Sequence, residues 1–156
     1  AWDVSVEGAR ELNSICIANP NIYYFSYVTS NTLLDPTSNR HVPEKSMSYI
    51  IRANARLMGM KKAYYDDGSE TDSTWFENDG IVNKKSMYGP TTGTNGPDPI
   101  GNYRKDDFLI PGQWYVMGEY KSDHRKFIGH SLNREEFDKL IEIYAAQLSL
   151  IWTLPK

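Results

Sequence analysis

The sequence predicts an α/β fold with parallel strands between helices, and three observations lead there. Two short runs, IYYFSYV at 22–28 and QWYVMGEY at 113–120, are rich in aromatic and β-branched residues. That is the pattern of strands inside a sheet covered on both faces. Stretches of helical period stand before the first run and after the second, and a long turn-rich excursion separates the two. The order helix, strand, excursion, strand, helix suits parallel strands with helices on their faces.

Taken along the chain, residues 5–17 predict a helix, with Ser5 as its cap and Val6, Ala9, Leu12 and Ile15/Cys16 repeating on one face. Asn19-Pro20 closes it. Residues 30–46 are polar and turn-rich, and MSYIIRANARLMG at 47–59 predicts a short helix stopped at Gly59. Together 30–74 read as an irregular insertion with one short helix. The carboxylates between Asp66 and Asp79 do not make a calcium loop: counted from Asp67, the sixth position is Asp72 where a glycine is required. They read as a solvated acidic loop. Residues 89–111, opening with GPTTGTNGPDPIGN, predict a surface loop. Beyond the second strand, Asn133 and Glu136 suggest a capping box, and Phe137, Leu140/Ile141, Tyr144, Leu148 and Ile151 trace the apolar stripe of a long C-terminal helix.

A chain of 156 residues with a net charge of −3, a pI near 5.6 and no dense Lys/Arg run points away from a nucleic-acid partner, which is gripped through clustered positive charge. No apolar run reaches the roughly 20 residues that cross a bilayer, so no transmembrane span is expected. The single cysteine, Cys16, lies in the apolar run ICIA and reads as a small buried residue; one cysteine excludes an internal disulfide and a cysteine metal cage. The chain begins AWDVSV, without Met or a signal-peptide pattern. Two strands of buried type cannot cover their own edges, so a missing N-terminal part is expected. The absence of an Asn-X-Ser/Thr sequon leaves the compartment open.

In an open parallel sheet, reactive groups collect beyond the carboxyl ends of the strands. Asp79, in the turn sequence Asn-Asp-Gly, follows the first strand, and His124 comes shortly after the second. A carboxylate bonded to one ring nitrogen leaves the other free to take a proton from a serine. Asp123 is a poor orienting acid for His124, because neighbouring side chains point apart, and His41 reads as an exposed loop residue. The run Gly129-His130-Ser131-Leu132-Asn133 imitates a nucleophile elbow but lacks its last glycine and a long preceding strand, so Ser131 reads as a helix-start serine. The nucleophile is expected outside this chain.

Several blocks resemble the C-terminal part of the bacterial thermoalkalophilic and staphylococcal-type lipases, which are α/β hydrolases. They are DVSVEGAREL N at 3–13, NPNIYYFSY at 19–27, WFENDGIVN with SM and GP at 75–90, and GQWYVMGEY with DH and FIG at 112–129. The resemblance implies an incomplete α/β-hydrolase domain over 1–156, made of the last parallel strands with flanking helices. Asp79 and His124 match the triad acid and base, and the serine would lie upstream of Ala1. The implied activity is hydrolysis of carboxylic esters of the triacylglycerol type, with this chain inactive by itself. Secretion is the family habit.

The resemblance also implies a calcium site, whose positions here are Ser46, Lys126, Ser131 and Leu132; a lysine does not ligate calcium at neutral pH. The site is therefore expected to be lost, with Lys126 pairing a carboxylate such as Glu44. The family's zinc ligands lie upstream of Ala1, so this chain is silent on zinc. Two rival readings remain: a degenerate, non-catalytic hydrolase kept as a binding or partner module, and a self-standing module that uses the last helix, with Trp152, as an interaction surface.

Overall fold

The computed structural model describes residues 2, 5–90, 96 and 98–155. Helix α1 (Val6–Ile15) is capped by Ser5, whose hydroxyl oxygen accepts the Gly8 N–H at 3.0 Å. The helix buries Gly8 against the Trp2 carbonyl and leaves its other end in solvent. Cys16 sits at that end and is exposed, against the buried position its apolar neighbours suggested.

Strand β1 (Tyr24–Ser30) is followed by a hairpin of β2 (Thr32–Asp35) and β3 (Arg40–Pro43), paired antiparallel with Leu33 opposite Val42. The sequence reading had no strands here. Their four-residue length hides the alternation, but the turn chemistry was present: Asp35 accepts from Thr37 N–H and the Ser38 hydroxyl, and Asn39 takes a φ of 51°. His41, on β3, is half-buried and not an exposed loop residue. A 3₁₀ turn at Tyr49–Ile51 leads into α2 (Arg52–Met58), so the helix starts later than 47 and ends at Gly59.

Of the predicted surface loop, residues 91–95 and 97 lie outside the described residues. Its later part holds a short strand, β4 (Ile100–Asn102), a third strand that the glycines and prolines around it concealed. Strand β5 (Trp114–Lys121) runs between β1 and β4, parallel to both. Aromatic residues hold the β1–β5 register: Tyr24 stacks on Trp114 with ring centroids 4.8 Å apart, and Phe25 meets Tyr115 at 6.1 Å. The register slips by one residue between Ser26 and Tyr27, where Gly118, at φ 152°, takes the bulge that a side chain would resist.

After β5 come the one-turn helix α3 (His124–Phe127) and the long α4 (Arg134–Thr153). Asn133 and Glu136 close a capping box at the start of α4, with bonds of 2.9 and 3.0 Å. The helix buries Leu140, while the rest of its stripe, Phe137, Ile141, Tyr144, Leu148 and Ile151, is exposed. Strand β1 likewise departs from full burial: Tyr24–Tyr27 are half-covered, because among the described residues only one of its edges is paired. The buried cluster Met47, Ile51 and Ala55 lies instead within the insertion, beside the turn that carries Asp79. No described helix is long and apolar enough to cross a membrane.

Candidate active site

Asp79 stands on a turn fixed by the residue before it. Asn78 is fully buried, and all its polar groups are used. Its side-chain amide donates to the carbonyls of Ala55 and Phe76 at 3.1 and 2.8 Å, and its oxygen accepts the Gly80 N–H at 2.9 Å. Its backbone bonds Thr32 and Asn31, at the start of the hairpin. Gly80 follows at φ 97°, and a Cβ there would lie 2.7 Å from Ile51 Cδ1, so glycine is required on both counts.

The Asp79 carboxylate, 1% exposed, accepts from four donors. Oδ1 takes the N–H groups of Ile81 and Val82 at 3.0 and 2.8 Å, while Oδ2 takes the Thr29 hydroxyl at 2.8 Å and lies 3.0 Å from His124 Nδ1. A carboxylate only accepts, so Nδ1 carries a proton, and in the neutral ring the lone pair is then on Nε2. The His124 side chain is 37% exposed, against 2% for that of Asp79. Among the described residues none bonds Nε2. The histidine N–H also donates to the Asp79 carbonyl at 3.0 Å, a second link between the same residues. Both groups sit where β1 and β5 end, at the carboxyl edge of the parallel pair. Such an arrangement can take a proton at Nε2 and stabilise the resulting imidazolium through a buried carboxylate.

The other sequence candidates fall elsewhere. Asp123, fully buried, accepts from Ser48 and Lys126 and not from His124. Ser131 is exposed at φ 57°, two residues before the helix cap; Asn133 starts α4 in its place. Lys126 pairs with Glu136, not Glu44, which bonds Lys121 at 2.8 Å. The Lys126 ammonium, and after it the Asn133 N–H, hold the Glu136 carboxyl below its ordinary range. Ser46, Lys126 and Leu132 line a cavity of about 280 Å³ together with Lys121, Lys139 and Glu136. An ammonium does not ligate calcium, so Lys126, paired with Glu136 at 2.5 Å, offers such an ion no donor at that position. Thr29 was missed, since a threonine near the end of a strand carries no signal of its own.

No protein-family model matches the chain. A lipase of Staphylococcus hyicus is 28% identical over 130 residues, 83% of this chain and 18% of that protein. Lipase 1 of Staphylococcus aureus is 29% identical over 131 residues, 82% of this chain and 17% of its own length. Among solved structures, EstA from Clostridium botulinum superposes with a TM-score of 0.75 at 33% identity, covering 89% of this chain and 32% of that one. The Staphylococcus hyicus lipase gives 0.77 at 25% identity, covering 96% and 35%. The chain thus spans less than a fifth of those staphylococcal lipases and about a third of the solved structures. Its mixed α/β fold, with a parallel sheet and flanking helices, corresponds to part of their domain.

Proposed function

From the premise that this chain is homologous to staphylococcal lipases, we propose that it carries the acid and base of a Ser-Asp-His carboxylic-ester hydrolase acting on triacylglycerol-type substrates. The observation that supports this best is the 3.0 Å contact between buried Asp79 Oδ2 and His124 Nδ1, on a ring that is part-exposed and whose Nε2 bonds none of the described residues. The serine comes from polypeptide outside these 156 residues.

In that reading Asp79 orients the ring and keeps the proton on Nδ1. Nε2 takes the serine proton as the hydroxyl oxygen attacks the ester carbonyl, and the imidazolium returns it to the departing alcohol. The same nitrogen then takes a proton from the water that hydrolyses the acyl-serine, and gives it back to the serine. The Lys126–Glu136 pair stands where the resemblance puts calcium, so the ion has no part in these steps. Secretion follows the family habit.

The test is turnover of p-nitrophenyl butyrate and tributyrin by the gene's full polypeptide, compared with His124→Ala and Asp79→Asn. Each substitution is expected to lower kcat by about 10⁴-fold. Wild-type rates in either variant would overturn the assignment. No turnover by the wild type would favour the non-catalytic partner module, which the lysine among the calcium positions also favours.

A further inference from the structure

We infer that Asp123 is a positioning residue for the Asp79–His124 pair: its buried carboxylate closes a ring of covalent and hydrogen-bonded links that holds the two at a fixed separation. The functional meaning rests on the hydrolase reading; the geometry does not. Asp123 is 0% exposed, and the proton transfers described above make no use of it. Its Oδ2 accepts the Ser48 N–H at 2.7 Å and the Ser48 hydroxyl at 3.0 Å, and its Oδ1 accepts the Lys126 N–H at 3.0 Å. The last of these caps α3, whose first residue is His124.

From Ser48 the chain runs through the 3₁₀ turn into α2, where the Asn54 side chain donates to the Gly80 carbonyl at 2.7 Å and Ile51 lies against Gly80. Gly80 is bonded to Asp79, Asp79 meets His124 twice, and His124 is bonded to Asp123. The circuit is closed. Both carboxylate oxygens accept a backbone N–H, so asparagine, which offers one oxygen and one NH₂ donor, cannot replace them both. A residue that only capped α3 would tolerate asparagine well. That difference separates positioning from ordinary capping.

Proton NMR of the gene's full polypeptide reads the pair through the His124 Nδ1 proton, identified by its loss in His124→Gln; a wild type without that proton's signal would itself overturn the inference. Asp123→Ala and Asp123→Asn are both expected to abolish the slowly exchanging signal while circular dichroism stays native. A signal retained in Asp123→Asn would reduce Asp123 to a helix cap and overturn the inference. Should Asp123→Asn fail to fold, Ser48→Ala decides. It keeps the cap and removes one bond to the charged group, so exchange of the Nδ1 proton should quicken about tenfold; a wild-type rate overturns the inference. Where the full polypeptide turns over esters, Asp123→Asn should lower kcat and leave KM unchanged, and an unchanged kcat would count against the positioning role. A polypeptide that hydrolyses nothing, yet loses the Nδ1 signal in Asp123→Asn, would sink the hydrolase reading and leave the ring intact.

Discussion

Asp79 is expensive to bury unless every acceptor site is met, and the side chain that completes the set is Thr29. Thr29→Val keeps the shape and deletes the donor, leaving Oδ2 with His124 alone. We expect a stability loss of about 1–3 kcal/mol in urea denaturation, the cost of a buried acceptor deprived of a partner. Thr29→Ser, which keeps the hydroxyl, should recover most of it. If valine matches the wild type, the Thr29–Asp79 bond contributes nothing in solution.

At the level of elements, the Thr32 hydroxyl links the hairpin to the turn that carries the acid. Thr32 Oγ1 accepts the Asn78 N–H at 3.2 Å and lies 3.1 Å from His41 Nδ1, within hydrogen-bond reach of the ring. Burial pushes the His41 pKa below its ordinary 6.5; the smaller charge effects of Glu77 and Lys84 oppose each other. The unfolded chain therefore takes up this proton at a higher pH than the folded one. Stability from this group is present above about 6.5 and is lost as pH falls through the lower folded value. His41→Gln should flatten the decline in the urea midpoint between about pH 7 and pH 5; an equal decline in both proteins would remove His41 as its cause. The start of α4 makes a simpler case. Asn133→Ala removes the acceptor of the Glu136 N–H and should cost about 1 kcal/mol, read as a lower thermal midpoint.

For the molecule as a whole, Lys126 and Glu136 line the cavity between the sheet end and α4, where the resemblance implies a cation. The Lys126–Glu136 pair joins α3 to α4 there. Calcium at millimolar concentration, or its removal by a chelator, is therefore expected to leave the thermal midpoint unchanged. A midpoint that rises with calcium would show carboxylates elsewhere binding the ion. The exposed stripe of α4 and the unpaired edge of β1 belong to this scale too, since a pattern of buried type stays half-covered where no described element lies against it.

The sequence alone determined features that close within a few residues: the Ser5 and Asn133 caps, the two longer parallel strands, the last helix and its stripe. Each depends on residue types adjacent in the chain, where side chain and backbone meet whatever the rest does. It also marked Asp79 and His124, through the resemblance of the blocks around them. Only the tertiary structure decided which groups meet across long separations. Asp79 finds Thr29 50 residues away and His124 45 away, while Asp123 reaches Ser48 across 75. Lys126 turns to Glu136, ten residues ahead, and not to Glu44. Those partners are chosen by how the sheet, the insertion and the helices come together, and residue type alone leaves several carboxylates or hydroxyls equally eligible for each.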